Sequence, residues 1–356
     1  MLFRRSAVLK YFIAAVAGSV LYAEWFIFRL QPMFWNTLEC SKNDPTCTRI
    51  LFVADPQIQG DLAVPFPLNT IFNFDSDRYL KSTFSVVAKS FKPEVIVYMG
   101  DITDEGSIAS LKQFHTYVKR IFNIFDLDYT VKTVWIPGDN DIGGEYPEPV
   151  NKEKLREFEK VFLSSTSYTR IPERNITFFK VNAITYEFSE NHDNYQFEND
   201  FKIVVSHYPV TTKHLFANKV HKKILPQVYF CAHDHISKYT RSLKTDLTKT
   251  MTFYLKDNRV VDLLTNDFIY EVYVPTCSYR MGTSFIGYGA AVLEKNNTQM
   301  RYTVYQSPTR FPFLFMYLIY ASVLCLYCII YSASKLCFLW INPYKGFEKL
   351  PISERI

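Results

Sequence analysis

Acidic and imidazole side chains follow five apolar segments of this 356-residue chain, each at the point where the segment ends. A single aspartate in such a place is usually a turn residue, but five cases in one chain indicate a shared site. Carboxylate oxygens and neutral imidazoles, with no thiolate, are ligands that Mn, Fe and Zn accept. One carboxylate, such as Asp101, could bridge two ions about 4 Å apart. The candidate metal ligands are Asp55, Asp101, Asp139, His207, His233 and His235.

The segments that precede these residues have the length and composition of buried strands. Between the early strands lie segments with apolar residues at helical spacing. This alternation predicts an α/β domain with layered sheets, in which the strand ends gather at one edge. The later part of the chain is richer in strands, which favours a second, more antiparallel sheet. Strands are predicted at 50–53, 95–99, 134–136, 178–181, 202–205, 228–231, 269–274, 290–293 and 301–305, and helices at 77–91, 107–125 and 151–162.

Five motifs in a fixed order resemble the signature of the calcineurin-like metallophosphoesterase superfamily. They read ADPQ, GDITD, PGDND, SHYP and AHDH, and they extend from residue 54 to residue 235. The resemblance implies an αββα sandwich that hydrolyses phosphoesters with two metal ions. It implies one ion held by Asp55, Asp101 and His235. A second ion would be held by Asp101 together with Asp139, His207 and His233.

Three residues depart from the superfamily pattern. Gln57 stands where a metal-binding histidine is common, and it could offer a weak amide oxygen or leave the position to water. Asp139 replaces the usual asparagine ligand and adds a negative charge. Asn140 replaces the histidine that assists the leaving group, and an amide cannot donate a proton as an acid does. Asn140 therefore remains a candidate catalytic residue only as a hydrogen-bond donor to a phosphoryl oxygen.

Two further segments narrow the resemblance. The start ADPQIQG, and the late segments PTCSYRMG at 275–282 and IGYG at 286–289, look like the metallophosphoesterases that remodel GPI anchors. That group implies Mn-dependent removal of ethanolamine phosphate from a mannose of the GPI glycan. GPI-anchored proteins would then be the substrates, and this removal would aid their exit from the endoplasmic reticulum. Contacts with cargo receptors could accompany it. His192, His214 and Arg280 are candidate substrate contacts or structural residues.

Two apolar segments, 8–28 and 313–331, are long enough to cross a membrane. The first could instead be a cleaved signal peptide. Under the positive-inside rule the flanking charges place both termini in the cytosol and the central block in the lumen. The predicted division is a cytosolic stub and helix at 1–30, a luminal domain at 31–310, a helix at 311–340 and a cytosolic tail at 341–356. The flanking basic residues are Arg4, Arg5 and Lys10 before the first segment, and Lys335, Lys345, Lys349 and Arg355 after the second.

Other features fit a luminal domain. Glycosylation sequons begin at Asn175 and Asn296. Cys40 and Cys47 could close a small disulfide loop in an oxidising lumen, or remain free thiols. Cys325, Cys328 and Cys337 lie in or beside the second apolar segment, where their spacing favours packing over a metal site. The resemblance implies membranes at endoplasmic reticulum exit sites, the ER–Golgi intermediate compartment or the Golgi.

Charge and hydropathy argue against other classes of protein. The net charge is only +5, and the basic residues are scattered, so no nucleic-acid partner is expected. Two apolar segments without polar clusters do not suit a channel or transporter. Two alternatives stay open: a phosphoesterase acting on another luminal substrate, and a metal-bound but inactive cargo adaptor.

Overall fold

The computed structural model describes residues 2–42, 44–126, 130–190, 197–257, 259–265 and 267–341, with the backbone alone for 2–8 and 338–341. The chain divides into two compact units. One comprises Trp25–Thr309, and the other comprises Met1–Glu24 with Arg310–Ile356. The first unit contains all the candidate metal ligands.

A six-stranded mixed sheet forms one half of the Trp25–Thr309 unit. Its strand order is β11-β14-β13-β1-β2-β3. The strands β1, β2 and β3 run parallel, so their carboxyl ends meet at one edge, whereas β13 and β14 are antiparallel to their neighbours. The strands are β1 (Thr48–Val53), β2 (Val95–Tyr98), β3 (Lys132–Trp135), β11 (Val261–Asp262), β13 (Gly287–Glu294) and β14 (Gln299–Gln306).

An eight-stranded sheet forms the other half. Its order is β10-β9-β12-β8-β7-β5-β4, with β6 paired to β5. The strands β5, β7, β8 and β12 are parallel, and the outer strands are antiparallel. The strands are β4 (Tyr168–Ile171), β5 (Ile176–Asn182), β6 (Glu187–Phe188), β7 (Phe201–Val205), β8 (Val228–Cys231), β9 (Lys238–Leu243), β10 (Asp246–Tyr254) and β12 (Phe268–Tyr273).

Helices cover the outer faces of both sheets. On the six-stranded sheet, Phe84 packs against Tyr288, and Phe162 packs against Trp135. On the eight-stranded sheet, Phe216 and Val220 join a buried cluster with Val204. The helices of this unit are α2 (Ile27–Leu30), α3 (Leu68–Phe91), α4 (Leu111–Ile124), α5 (Asp139–Ile142), α6 (Lys152–Phe162) and α7 (His214–Ile224), and the other unit contains α1 (Leu2–Leu21) and α8 (Phe311–Ile341).

The main core lies between the two sheets. Each strand turns alternate side chains inward, so apolar residues from both sheets meet in one cluster. Phe52 of β1 stacks on Phe230 of β8 with ring centroids 4.0 Å apart. The expected αββα sandwich is therefore confirmed.

Several element boundaries differ from the sequence-based expectation. Helix α3 begins at Leu68 rather than at 77. The sequence pattern did not indicate its first two turns, because they carry no buried residue and therefore show no amphipathic period. Helix α4 begins at Leu111 rather than 107, where Ser110 and Gln113 form a capping box. The helix α7 and the strands β9 and β10 were not expected.

The two terminal helices pack against each other within the second unit. Ser19 Oγ lies 3.0 Å from Tyr320 Oη, and Phe12 contacts the same tyrosine ring edge-on. Arg310 Nη1 lies 2.9 Å from Glu24 Oε1. By length and composition alone, Leu9–Phe34 and Phe311–Cys337 could each cross a membrane. The tail residues Lys345, Lys349 and Arg355 lie outside the described part of the chain.

Candidate metal centre

The six candidate ligands all follow strands that end at the same edge of the sandwich. The three carboxylates come from the six-stranded sheet, since Asp55, Asp101 and Asp139 follow β1, β2 and β3. The three imidazoles come from the eight-stranded sheet, after β7 and β8. Each sheet thus supplies one kind of donor.

These side chains form two groups in which the donor atoms all lie within 4.8 Å of one another. One group contains Asp55, Asp101 and His235, and the other contains Asp139, His207 and His233. Asp101 borders both groups, because its Oδ1 also lies 3.3 Å from His207 Nε2. This is the division that the family resemblance implies, and either group could hold one divalent ion.

The carboxylate of Asp55 tests whether the site suits a cation. Asp55 is fully buried, and neither of its oxygens has a hydrogen-bond partner within the described residues. Such a group costs free energy unless something compensates its charge. A divalent ion between Asp55, Asp101 and His235 would supply that compensation. The residues present therefore fit a metal.

Burial and mutual charge shift the titration of the cluster. Burial raises the pKa of Asp101 well above its usual range, and it raises that of Asp55. Burial opposes ionisation of Asp139 too, but hydrogen bonds from His207 and His233 outweigh it and lower the pKa. Burial disfavours a charged His207, yet the surrounding carboxylates raise its pKa to about 10. The protein alone thus retains protons where bound cations would displace them.

The backbone at this edge is held in unusual conformations. Positive φ angles between 44° and 66° occur at Asp55, Gln57, Asp101, His233 and His235. The left-handed region costs energy for residues other than glycine and is concentrated at functional sites. Gly138 has a different role, because a Cβ there would lie 2.1 Å from Asp101 Oδ1. The strand-end turns are therefore shaped to direct these side chains.

The amide side chains that depart from the family pattern both contact Asp101. Gln57 Nε2 donates to Asp101 Oδ2 at 3.2 Å and lies 3.3 Å from His235 Nε2. Asn140 donates from its backbone N to Asp101 Oδ1 at 3.0 Å, and from Nδ2 to Asp101 Oδ2 at 3.1 Å. Together these donors fix the orientation of the carboxylate that borders both groups.

Two buried acids that the sequence reasoning did not assign hold the site loops. Asp141 accepts hydrogen bonds from the backbone N of Gly138, Ile102 and Thr103, and so ties the turn after β3 to the turn after β2. Glu271 accepts from the backbone N of Val210 and Thr211, just after His207. The signal for Glu271 was a single acid within the apolar strand FIYEVY.

The site is open on the side of His233 and His235, whose side chains are about a quarter exposed. The ring of Tyr208 lies 4.1 Å from that of His233. Lys213 Nζ lies 5.0 Å from the Tyr208 ring and donates to Ala183 O at 2.8 Å. A cation beside the opening favours anionic substrates.

The three candidate substrate contacts fall in different places. Arg280 donates to Gln57 O at 2.8 Å and to Asp104 Oδ2 at 2.7 Å, so it braces the loop after β1. His214 is the exposed first residue of α7. His192 lies outside the described residues.

Comparisons with known proteins identify the family of the chain. A family model described as calcineurin-like phosphoesterase matches residues 48–237. The chain is 25% identical over 158 residues to the Metallophosphoesterase 1 homolog of Drosophila melanogaster, which covers 44% of this chain and 41% of that protein. It is 26% identical over 191 residues to Metallophosphoesterase 1 of Ailuropoda melanoleuca, covering 52% and 46%. The matches thus span about half the length of these curated relatives.

Among solved structures, the chain is similar to a metallophosphoesterase from Sphaerobacter thermophilus. The identity is 14%, the alignment covers 74% of this chain and 89% of that one, and the TM-score is 0.37.

Proposed function

Because the chain belongs to the calcineurin-like phosphoesterase family, we propose that it is a two-metal phosphodiesterase with Mn as its preferred metal. The observation that carries the proposal is the pair of adjoining donor groups around the buried carboxylate of Asp55, which receives no hydrogen bond from the described residues. Asp55, Asp101 and His235 would hold one ion. Asp139, His207 and His233, with Asp101 shared, would hold the other. Gln57 stays close enough to Asp101 and His235 to support the first ion.

The side chains of the protein position the metal ligands and the substrate for the reaction. Two bound divalent ions would supply an activated water and offset charge on the phosphoryl oxygens. Asp141 and Asn140 hold the turns after β2 and β3 together, so the carboxylates keep one geometry. Asn140 can also donate to a phosphoryl oxygen, but it cannot protonate the leaving group. Lys213 favours the approach of an anionic substrate.

The proposed substrate is ethanolamine phosphate on a mannose of the GPI anchor glycan. Its removal would aid exit of GPI-anchored proteins from the endoplasmic reticulum, with contacts to cargo receptors. The support is the resemblance of the segments at 54–60, 275–282 and 286–289 to the GPI-remodelling group. The second of these segments contains Arg280, which contacts Gln57 directly.

The proposed topology has both termini in the cytosol and the catalytic domain in the lumen, in membranes between the endoplasmic reticulum and the Golgi. The domain scheme 1–30, 31–310, 311–340 and 341–356 is part of this proposal. Its support is the two apolar helices and a disulfide between Cys40 and Cys47, since disulfides persist in oxidising compartments. The sequon residues Asn175 and Asn296 are both exposed, which suits a glycoprotein.

The full chain, purified with Mn, should contain two metal ions and hydrolyse bis(4-nitrophenyl) phosphate. Asp101→Ala and His233→Ala should each abolish that hydrolysis and lower the metal content in elemental analysis. Full activity in either variant would dismiss the two-metal mechanism. A metal-loaded wild-type protein without any hydrolysis would instead favour the adaptor.

Mass analysis of GPI glycans tests the substrate separately. Cells lacking the protein should retain ethanolamine phosphate on the mannose, and wild-type protein should restore its removal where Asp101→Ala does not. Unchanged glycans together with active purified enzyme would favour a phosphoesterase of another luminal substrate.

A further inference from the structure

An apolar segment with no charged residue lies directly after the metal-site loop of β1. Residues 62–74 read LAVPFPLNTIFNF, in which Asn69, Thr70 and Asn73 are the only polar residues. The segment forms the loop before α3 and the first two turns of that helix. It is not needed for the phosphoesterase chemistry described above.

The large side chains of this segment are exposed. Phe66 is 81% exposed, Phe74 is 67% exposed and Ile71 is 64% exposed. Helix α3 buries no residue before Ser76. Isolated apolar residues are common on protein surfaces, but a contiguous group of this kind marks an interaction surface. The group comprises Leu62, Phe66, Leu68, Ile71, Phe72 and Phe74.

The end of the first candidate membrane span packs on the same helix. Phe28 lies against Tyr79 with ring centroids 5.9 Å apart, and Trp35 lines a small cavity with Val87, further along α3. The segment from Phe28 to Trp35 therefore runs in the same direction as α3. Trp25 precedes this segment in the chain and is also exposed, so it lies towards the exposed beginning of α3. Within the Trp25–Thr309 unit, the apolar segment thus lies towards the residue with which this unit begins.

Both ends of the segment are fixed to the metal-site loops. At the start, the backbone N of Ala63 donates to Oε1 of Glu105, the residue after Asp104, at 2.6 Å. At the end, Tyr279 Oη donates to Asp75 Oδ2 at 2.8 Å, and the next residue, Arg280, contacts Gln57. A contact made by the segment would therefore set the position of the metal centre.

We infer that residues 62–74 insert into the surface of the lipid bilayer and hold the metal centre at the level of phosphoester groups carried on membrane lipids. An uncharged, aromatic-rich surface beside the end of a membrane span suits the boundary between headgroups and acyl chains. A protein partner or a second copy of the chain would be a different occupant, which the experiment distinguishes. The second half of this inference rests on the proposed phosphoesterase function.

Photocrosslinking of the full chain in phosphatidylcholine vesicles tests the bilayer contact without relying on activity. Phe66 and, separately, Phe74 are replaced by the photoreactive analogue benzoylphenylalanine. The matched control carries the analogue at Leu163, which is 72% exposed but stands alone after α6. Mass spectrometry should find lipid adducts at positions 66 and 74 and none at 163. Adducts to protein, or no adducts at either position, would overturn the bilayer contact.

Turnover tests the consequence for substrates. The double variant Phe66→Ser with Phe74→Ser should hydrolyse a hexadecyl nitrophenyl phosphodiester in the vesicles about tenfold more slowly than wild type. Its hydrolysis of soluble bis(4-nitrophenyl) phosphate should be unchanged, as should both rates in Leu163→Ser. Equal rates on the vesicle substrate would contradict the positioning role. A wild-type protein inactive on both substrates would count against the proposed function, while the adducts would still report the contact.

Discussion

Two buried aspartates at opposite edges of the sandwich differ in the hydrogen bonds that they receive. Asp200 precedes β7, at the edge away from the candidate metal centre. It accepts two hydrogen bonds from Arg170, at 2.7 and 2.9 Å, and one from Thr177 Oγ1 at 2.6 Å. Asp55 follows β1 at the site edge, and its oxygens have no hydrogen-bond partner among the described residues, although His235 Nε2 lies 3.6 Å from Oδ1. The same side chain receives a full set of hydrogen bonds in one place and none in the other.

This difference in hydrogen bonding distinguishes a buried acid that stabilises the fold from one that serves the candidate metal centre. An acid that holds the structure together receives its donors from the chain, because a buried charge without them is costly. An acid that receives no donors stays in a folded protein when a ligand compensates it. The site edge therefore depends on a bound partner more than the opposite edge does.

Replacing Asp55, the acid that receives no hydrogen bond, should have the largest effect. Asp55→Asn should lower bis(4-nitrophenyl) phosphate turnover about 1000-fold, because one ion loses a charged ligand. The metal-free variant should unfold in urea at the same or a higher concentration than metal-free wild type, because a buried charge is removed. Substantial loss of stability in the metal-free variant would show that Asp55 has a structural partner after all.

Replacing the satisfied acid should produce the reverse pattern. Asp200→Asn should lower the free energy of unfolding by about 2 kcal/mol, because Arg170 and Thr177 lose an ionised acceptor. Metal content and turnover should stay at wild-type values. The exposed pair of Asp257 and Arg259 offers a control, and Asp257→Asn should change stability by less than about 0.5 kcal/mol. Loss of metal from Asp200→Asn would show that Asp200 also supports the metal centre, which would contradict a purely structural role.

Replacing Asn140, whose side-chain amide contacts the carboxylate that borders both donor groups, should have a smaller effect. Asn140→Ala should reduce kcat about tenfold, because Asp101 loses the donor Nδ2 and a phosphoryl oxygen loses a hydrogen bond. Asn140→Asp keeps the shape but removes the donor, so it should be at least as slow. Steady-state kinetics with two bound metal ions per chain would measure this. Unchanged kcat in both variants would assign Asn140 to neither role.

The smallest expected effect is a change with pH in the stability that Asp200 contributes. Burial would raise the pKa of Asp200, but the hydrogen bonds from Arg170 and Thr177 outweigh it and hold the pKa below its usual value. A lowered pKa gives stability that is present above the unfolded-state value, about 3.9, and is lost as the pH falls through the folded-state value. Urea unfolding of wild type and Asp200→Asn should therefore keep their difference down to about pH 4 and converge as the pH falls further. Convergence on the alkaline side instead would contradict this origin.

The strand ends were predictable because burial on both faces makes a short apolar segment distinctive. The predicted strand at 228–231 coincides with β8, and the predicted ligands lie together at its edge. Helix α7 could also have been found, since Phe216, Val220 and Ile224 recur at helical spacing. Strand β10 could not, because most of its residues are exposed and its conformation follows from pairing with β9.

The supporting contacts of the site were harder to read from the sequence. Asp141 and Glu271 act through backbone donors that only the folded turns bring within reach. The first turns of α3 had no amphipathic period because nothing in the described unit covers them. A periodicity argument detects which side of a helix faces a core, so a helix end without a core contact escapes it.

The two sheets contribute chemically different halves of the site, carboxylates from one and imidazoles from the other. Neither donor group is complete on a single sheet, so the packing of the two sheets on each other determines how closely the oxygen and nitrogen donors approach. The stacked rings of Phe52 and Phe230 are part of that layer. Core residues with no polar atom thereby act as spacers between donor atoms that they never touch, so a smaller side chain in this layer would move the donors of one sheet relative to those of the other.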